Sequence, residues 1–176
     1  MREQSPSVAI GLGCDRGCAP GSVETAVDKA LQQVGVGRHC VRFFASITLK
    51  QDELAFTLLS TTWSIPFLWY PAEQLARVSV PSPSEVVRKY VGTPSVSEAA
   101  ALLAAETDLS NLLLEKYRHR GEDGKNVTVS IAAIPTDVIE RWQQERDRTG
   151  PRPAWSSLEP YSHTSDRQPH CESEEE

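Results

Sequence analysis

The period of the apolar positions changes several times along the chain. Residues 8–13, VAIGLG, form a continuous apolar run closed by glycine, which suits a short buried strand. From residue 23 the spacing becomes i, i+3, i+4, i+7, with Val23, Ala26, Val27, Ala30, Leu31 and Val34 on one helical face. Ser22 or Gly21 can cap that helix, and Gly35 and Gly37 stop it. Residues 41–50, VRFFASITLK, are rich enough in β-branched and aromatic side chains to make a second strand over part of their length. Asp52 can cap a following helix that carries Leu54, Leu58, Leu59 and Trp63. Residues 65–71, IPFLWYP, are apolar throughout and bounded by prolines, so they read as a third, buried strand, with a short helical turn in PAEQLARV after it.

The second half continues the alternation. Pro81 and Pro83 keep VPSPS extended, and Ser84 opens a helix with Val86, Val87, Tyr90 and Val91 as its apolar positions and Gly92 as its end. Ser95 and Glu98 have the spacing of a capping box, each able to accept from the other's backbone amide, ahead of the strong helix formers of VSEAAALLAAE. Residues 112–119 and 126–133 flank the turn RGEDGKN as a β-hairpin, its second arm apolar enough for a sheet centre. Val138, Ile139 and Trp142 can form the apolar side of one more amphipathic helix. Strands alternating with helices predict a layered α/β sheet, mixed because of the hairpin.

Composition narrows the class. With 176 residues, 39% of them hydrophobic and 24% charged, the chain can build one domain with a proper core. No apolar run approaches the ~18 residues that suggest a membrane span, and the N-terminus lacks the pattern of a secretory signal, so a cytoplasmic location is expected, with no membrane partner. The net charge of -6 is uneven: residues 1–136 hold 13 Lys and Arg against 14 Asp and Glu, whereas residues 137–176 hold 5 against 10. That balance offers no basic face for phosphates, and no nucleic-acid partner is expected. From Gly150 onward, proline, serine and the terminal CESEEE leave little to bury, and disorder is expected there. Cys14, Cys18, Cys40 and Cys171 fit neither a disulfide framework nor a paired zinc motif, and reduced thiols are expected.

Chemistry concentrates in two loops. The stretch GLGCDRGCAPGS links the first strand to the first helix; its Gly11, Gly13 and Gly17 give GxGxxxG, one residue too long for the dinucleotide fingerprint. A strand leading through glycines to a helix N-terminus still presents free amides and a positive dipole end, which suit a phosphate or carboxylate, unless the loop is only a tight turn. Asp15 and Arg16 at its apex read either as a solvated pair or as an acid/base or carboxylate-binding pair. In ITLKQDE, Lys50, Asp52 and Glu53 meet at a strand-to-helix junction; they are either a cap with surface charges, or an anion holder beside a carboxylate that activates water. His39, His119, His163 and His170 show no metal spacing, no serine lies in a nucleophile-elbow sequence, and no motif calls for a cofactor or a metal.

Four segments taken together resemble one family. GLGCDRGCAPGSVETAVDKAL is similar to a GxGCRRG opening, ITLKQDE to a sidlKadE segment, VPSPSEVVRKYVGTPSVSEAAALLAA to vpnPSevV...vGtpSVaEaAAL, and VTVSIA to a closing vTvAiA strand. These patterns belong to the CobE family of cobalamin biosynthesis, also the C-terminal domain of CbiG-type proteins, and the resemblance runs in order over about residues 6–134. It implies a three-layer α/β/α fold with a mixed central sheet over residues 1–135, with residues 136–176 as an acidic extension that has no counterpart in the family core.

The resemblance also implies work on a corrin-ring precursor carrying several carboxylates. CbiG-type proteins open the δ-lactone of cobalt-precorrin-5A and release a two-carbon unit as acetaldehyde. Because the sequence begins at the first strand of that domain, it resembles the stand-alone CobE type of the aerobic route. A corrinoid or tetrapyrrole intermediate is therefore the expected ligand, and other enzymes of the route are further candidate partners. The positions that match are Gly11, Gly13, Cys14, Arg16 and Gly17 in the first loop, then Lys50, Asp52 and Glu53 in the second. In the third segment they are Pro83, Ser84, Glu85, Gly92, Pro94, Ser95 and Glu98. Asp15 stands where the family usually has a basic residue, and Ser82 where asparagine is common. Arg16, Lys50 and loop amides could hold acetate and propionate arms; in a hydrolase, Asp52 or Glu53 would be the base, with Asp15 as a further acid/base candidate. A carrier that binds the same intermediate without turnover is the alternative.

Overall fold

The computed structural model describes residues 5–81 and 95–149. Its elements are β1 (Val8–Cys14), α1 (Pro20–Val34), β2 (Val41–Ile47), α2 (Leu54–Trp63), β3 (Phe67–Tyr70), α3 (Ala72–Ala76), α4 (Val96–Ala104), β4 (Leu112–Arg120), β5 (Asn126–Ala133) and α5 (Thr136–Thr149). The five strands form one sheet in the order β3-β2-β1-β5-β4. β1, β2 and β3 pair in parallel, and β5 runs antiparallel to both β1 and β4. The sheet is therefore mixed, as the hairpin predicts, and β4 runs in the same direction as β1.

Strand alternation divides the core into two layers. Val8, Ile10 and Leu12 of β1 face one side, where they pack with Val23, Val27 and Leu31 of α1 and Phe56 and Leu59 of α2. Ala9 of β1, Phe43 and Ala45 of β2 and Ala132 of β5 face the other side, against α4 and α5. The result is an α/β/α sandwich. α4 lies directly on β1: a Cβ added to Gly11 would stand 1.8 Å from the carbonyl oxygen of Ser97 and 2.6 Å from the amide nitrogen of Ala101. The fully buried Ala99, Ala100 and Ala101 permit the approach from the helix side. α5 docks on the same layer through Val138 and through Trp142, whose ring meets Phe43 edge-on at 5.4 Å. Trp142 Nε1 also donates to Glu106 Oε1 at 2.9 Å.

Local details depart from the sequence reading. The cap of α1 is Ala19 with Pro20 in the first turn, so Ser22 lies inside the helix. The segment read as a second strand ends at Ile47 and passes into a helical turn, Thr48–Lys50. Glu53 rather than Asp52 stands at the cap of α2. The capping box of α4 does not close: the Ser95 side chain makes no cap hydrogen bond. The Glu98 carboxylate lies buried under the sheet instead, where Oε1 accepts from the Lys116 backbone amide of β4 at 3.3 Å. β3 is an edge strand, so Leu68 and Tyr70 are buried while Phe67 and Trp69 are half-buried. The helix read from Ser84 to Gly92 and the tail from Gly150 lie outside the described residues.

Candidate functional site at the carboxyl edge of the sheet

Parallel pairing of β1 with β2 brings the loops after their carboxyl ends side by side. Gly17, at φ 68°, turns its amide toward the second loop and donates to Glu53 Oε1 at 3.0 Å. Glu53 is only 3% exposed, and its other oxygen, Oε2, has no hydrogen-bond partner. Two cations stand near that oxygen: Lys50 Nζ at 3.7 Å and Arg16 Nη1 at 3.9 Å. Arg16 bridges the loops further, donating to Asp52 Oδ1 at 2.5 Å and to the Leu49 carbonyl at 2.8 Å. The hydrogen bond from Arg16 holds the Asp52 carboxyl below the usual carboxylate range, and raises the guanidinium in turn. Both partners of that pair are largely exposed, so water and salt screen it.

The neighbouring thiols are quiet. Burial pushes Cys14 up to about 12, against a smaller opposing effect of Lys50, and pushes Cys18 up to about 11, helped by Asp123. Near neutral pH both stay protonated, and neither is a ready nucleophile. No group of three or more His, Cys, Asp or Glu among the described residues is placed to hold a metal ion.

The remaining candidates separate. Gly11 belongs to the interior, where it admits α4, and Gly13 lies against Thr128, whose Oγ1 would be 2.6 Å from an added Cβ. Asp15 faces β5: its Oδ2 accepts from the Asn126 backbone amide at 2.7 Å and from Asn126 Nδ2 at 2.9 Å. It pins the first loop to the hairpin. Ser95 is buried at the start of α4, with its Oγ unpartnered. Since α4 leads through Leu109–Asn111 into the start of β4, and β4 runs with β1, that N-terminus points to the same carboxyl edge. Ser84 and Gly92 lie outside the described residues.

The hairpin turn supplies residues that the sequence reading left out. Lys125 Nζ donates to the Arg16 carbonyl at 2.5 Å, and Asp123 Oδ2 accepts from the Ala19 amide at 2.7 Å. The only sequence signal was the turn RGEDGKN itself. Its arrival on the first loop follows from the antiparallel pairing that places Cys14 opposite Val127.

Residues 8–132 match the profile of a family described as cobalamin synthesis G C-terminus. The chain belongs to this family. Among similar proteins, a cobalt-precorrin-5A hydrolase from Priestia megaterium is 34% identical over 130 residues, which cover 74% of this chain and 33% of that protein. Protein CobE from Sinorhizobium sp is 33% identical over 100 residues, covering 56% of this chain and 65% of its own length. The chain thus spans about a third of the hydrolase and about two thirds of CobE. A crystal structure of CobE, described as a protein from the cobalamin biosynthetic pathway, superposes with a TM-score of 0.61 at 27% identity and covers 76% of this chain and 96% of that one. The cobalamin-synthesis family and the α/β architecture expected from the four segments are both borne out. No helix among the described residues is long and apolar enough to cross a membrane.

Proposed function

We propose that this member of the cobalamin synthesis family binds a carboxylate-bearing corrin precursor at the carboxyl edge of its sheet, and opens a lactone on that precursor with Glu53 as general base. One observation carries the reading: Oε2 of Glu53 is buried without a hydrogen bond, and two cations stand within 4 Å of it. An unpaired buried oxygen costs about 1–3 kcal/mol, a cost that is recovered when a ligand or a held water supplies the missing donor. Among the similar proteins is a cobalt-precorrin-5A hydrolase, a name that supports hydrolysis of a precorrin as the chemistry.

In this reading a water hydrogen-bonded to Oε2 gives its proton to Glu53 as its oxygen bonds to the lactone carbonyl carbon. Lys50 and Arg16 offset the negative charge that develops on the carbonyl oxygen. The tetrahedral intermediate collapses with cleavage of the ring C–O bond. The proton on Glu53 then passes to the departing alkoxide, leaving a hydroxyl and a new carboxylic acid, which releases its own proton to solvent and becomes a carboxylate. Asp52 is the poorer base, since Arg16 already holds its carboxyl low. Its role is to occupy Arg16 until a substrate carboxylate replaces it.

The test is to mix the purified chain with lactone-bearing cobalt-precorrin-5A, follow the absorption spectrum and assay acetaldehyde. Spectral change with acetaldehyde release supports the hydrolase. Tight binding with an unchanged spectrum would replace it with a carrier, and absence of binding would remove both.

A further inference from the structure

Beside the charged site runs a groove of about 350 Å³ lined by Gln51, Phe56, Thr57, Thr61, Phe67 and Trp69, among others. It exists because β3 is a short edge strand with no described strand on its outer side, which leaves Phe67 and Trp69 half-buried. The aromatic surface comes from Phe67 and Trp69, which stack on each other at 4.6 Å with 13° between planes, while the fully buried Phe56 backs Phe67 at 5.1 Å with 23°. The opposite wall is α2. There the hydroxyls of Ser60 and Thr61 are taken up by backbone carbonyls, through Ser60 to Ile65 at 2.7 Å and Thr61 to Thr57 at 2.9 Å. Among the described residues no charged side chain lines the groove, and Gln51 at one end of it is flanked in sequence by Lys50 and Asp52. Leu54 and Leu58, exposed one turn apart on α2, add apolar surface beside it.

An uncharged slot with the aromatic side chains Phe67 and Trp69 on one wall, and with Gln51, the chain neighbour of Lys50 and Asp52, at one end, is complementary to a ligand with an apolar ring and charged arms. We infer that the α2–β3 groove takes an edge of the corrin macrocycle, while the carboxylates of the same molecule reach Arg16 and Lys50. The inference rests on the reading of the carboxyl-edge site given above and assigns the ring to a surface which that reading does not use. The groove is smaller than the whole macrocycle, so part of the ring stays outside it, over Leu54 and Leu58.

Two corrin probes separate the groove from the charged site: dicyanocobyrinic acid, whose side chains end in carboxylates, and dicyanocobinamide, whose ring is the same but whose arms are carboxamides. The wild-type chain is expected to bind both, the carboxylate probe more tightly. Thr61→Trp, which fills the groove from an exposed position, is expected to weaken both at least tenfold, and Thr57→Trp to do the same. Circular dichroism checks that each variant keeps its fold, and the two substitutions give two independent ways to block the slot. Arg16→Ala combined with Lys50→Ala is expected to weaken only the carboxylate probe. If both groove variants bind both probes as the wild type does, or the wild type ignores the carboxamide probe, the groove assignment is overturned while the carboxyl-edge site stands. Failure of the wild type to bind either probe overturns both.

Discussion

The backbone amide of Gly17 donates to Glu53 Oε1 at 3.0 Å, joining the loop after the first strand to the loop after the second. That bond fixes one oxygen of a buried carboxylate and leaves the other beside Lys50 and Arg16. The same arrangement makes Asp52 and Glu53, adjacent in sequence, unequal in role.

Asp52→Asn separates those roles. The exposed Arg16–Asp52 pair contributes little to stability because water and salt screen it, so the melting temperature should hardly move. With its partner neutralised, Arg16 is freer to take a substrate carboxylate, and affinity for a carboxylated corrin should rise several-fold at low salt. The gain should shrink as salt is added. Isothermal titration at two ionic strengths checks this, and a loss of affinity would count against Arg16 as the anion holder.

Gly11→Ala addresses the packing of α4 on β1. The new methyl would stand 1.8 Å from a backbone oxygen, so the helix must move, and overpacking of this kind costs about 1–3 kcal/mol or more. At about 2–4 °C per kcal/mol for a domain near this size, calorimetry should show a clear drop in melting temperature. An unchanged transition would mean that α4 is not seated as described. The effect should fall on stability, with ligand affinity altered only as far as the fold is.

High pH offers a test of the thiol environment. Burial raises Cys14 from an ordinary value near 9.0 to about 12, so between those values the folded chain holds a proton that the unfolded chain has lost. Unfolding then releases protons, and the stabilisation, complete below about pH 9, is lost as pH climbs toward 12. Urea midpoints should therefore fall over that window in the wild type and fall less steeply in Cys14→Ala. Parallel profiles for the two proteins would contradict a partly buried, protonated Cys14.

The two-layer core was legible because both periods are strong: Val23, Ala26, Val27, Ala30 and Leu31 are all buried on α1, and Val8, Ile10 and Leu12 on β1. The two loops of the site were legible as clusters, since parallel strands bring consecutive strand-to-helix junctions to one edge. Long-range pairing was not. Nothing local places Lys125 and Asp123 against the first loop, because that contact is set by the register of β5 on β1. The capping-box spacing of Ser95 and Glu98 gave way to burial, which turned Glu98 toward Lys116 in β4. In IPFLWYP the flanking prolines carried the useful signal, an exposed sheet edge, where the apolar run alone suggested an interior strand.

The most direct measurement compares the wild type with Glu53→Gln on cobalt-precorrin-5A in single-turnover mixing, read by absorption and by acetaldehyde. The amide oxygen of the introduced glutamine can still accept from the Gly17 amide, so the loop connection and binding of the corrin should survive, while lactone opening should slow by about 10²–10⁴-fold. Equal rates of opening in the two proteins would contradict Glu53 as the base, and with it the assignment of catalysis to this edge of the sheet.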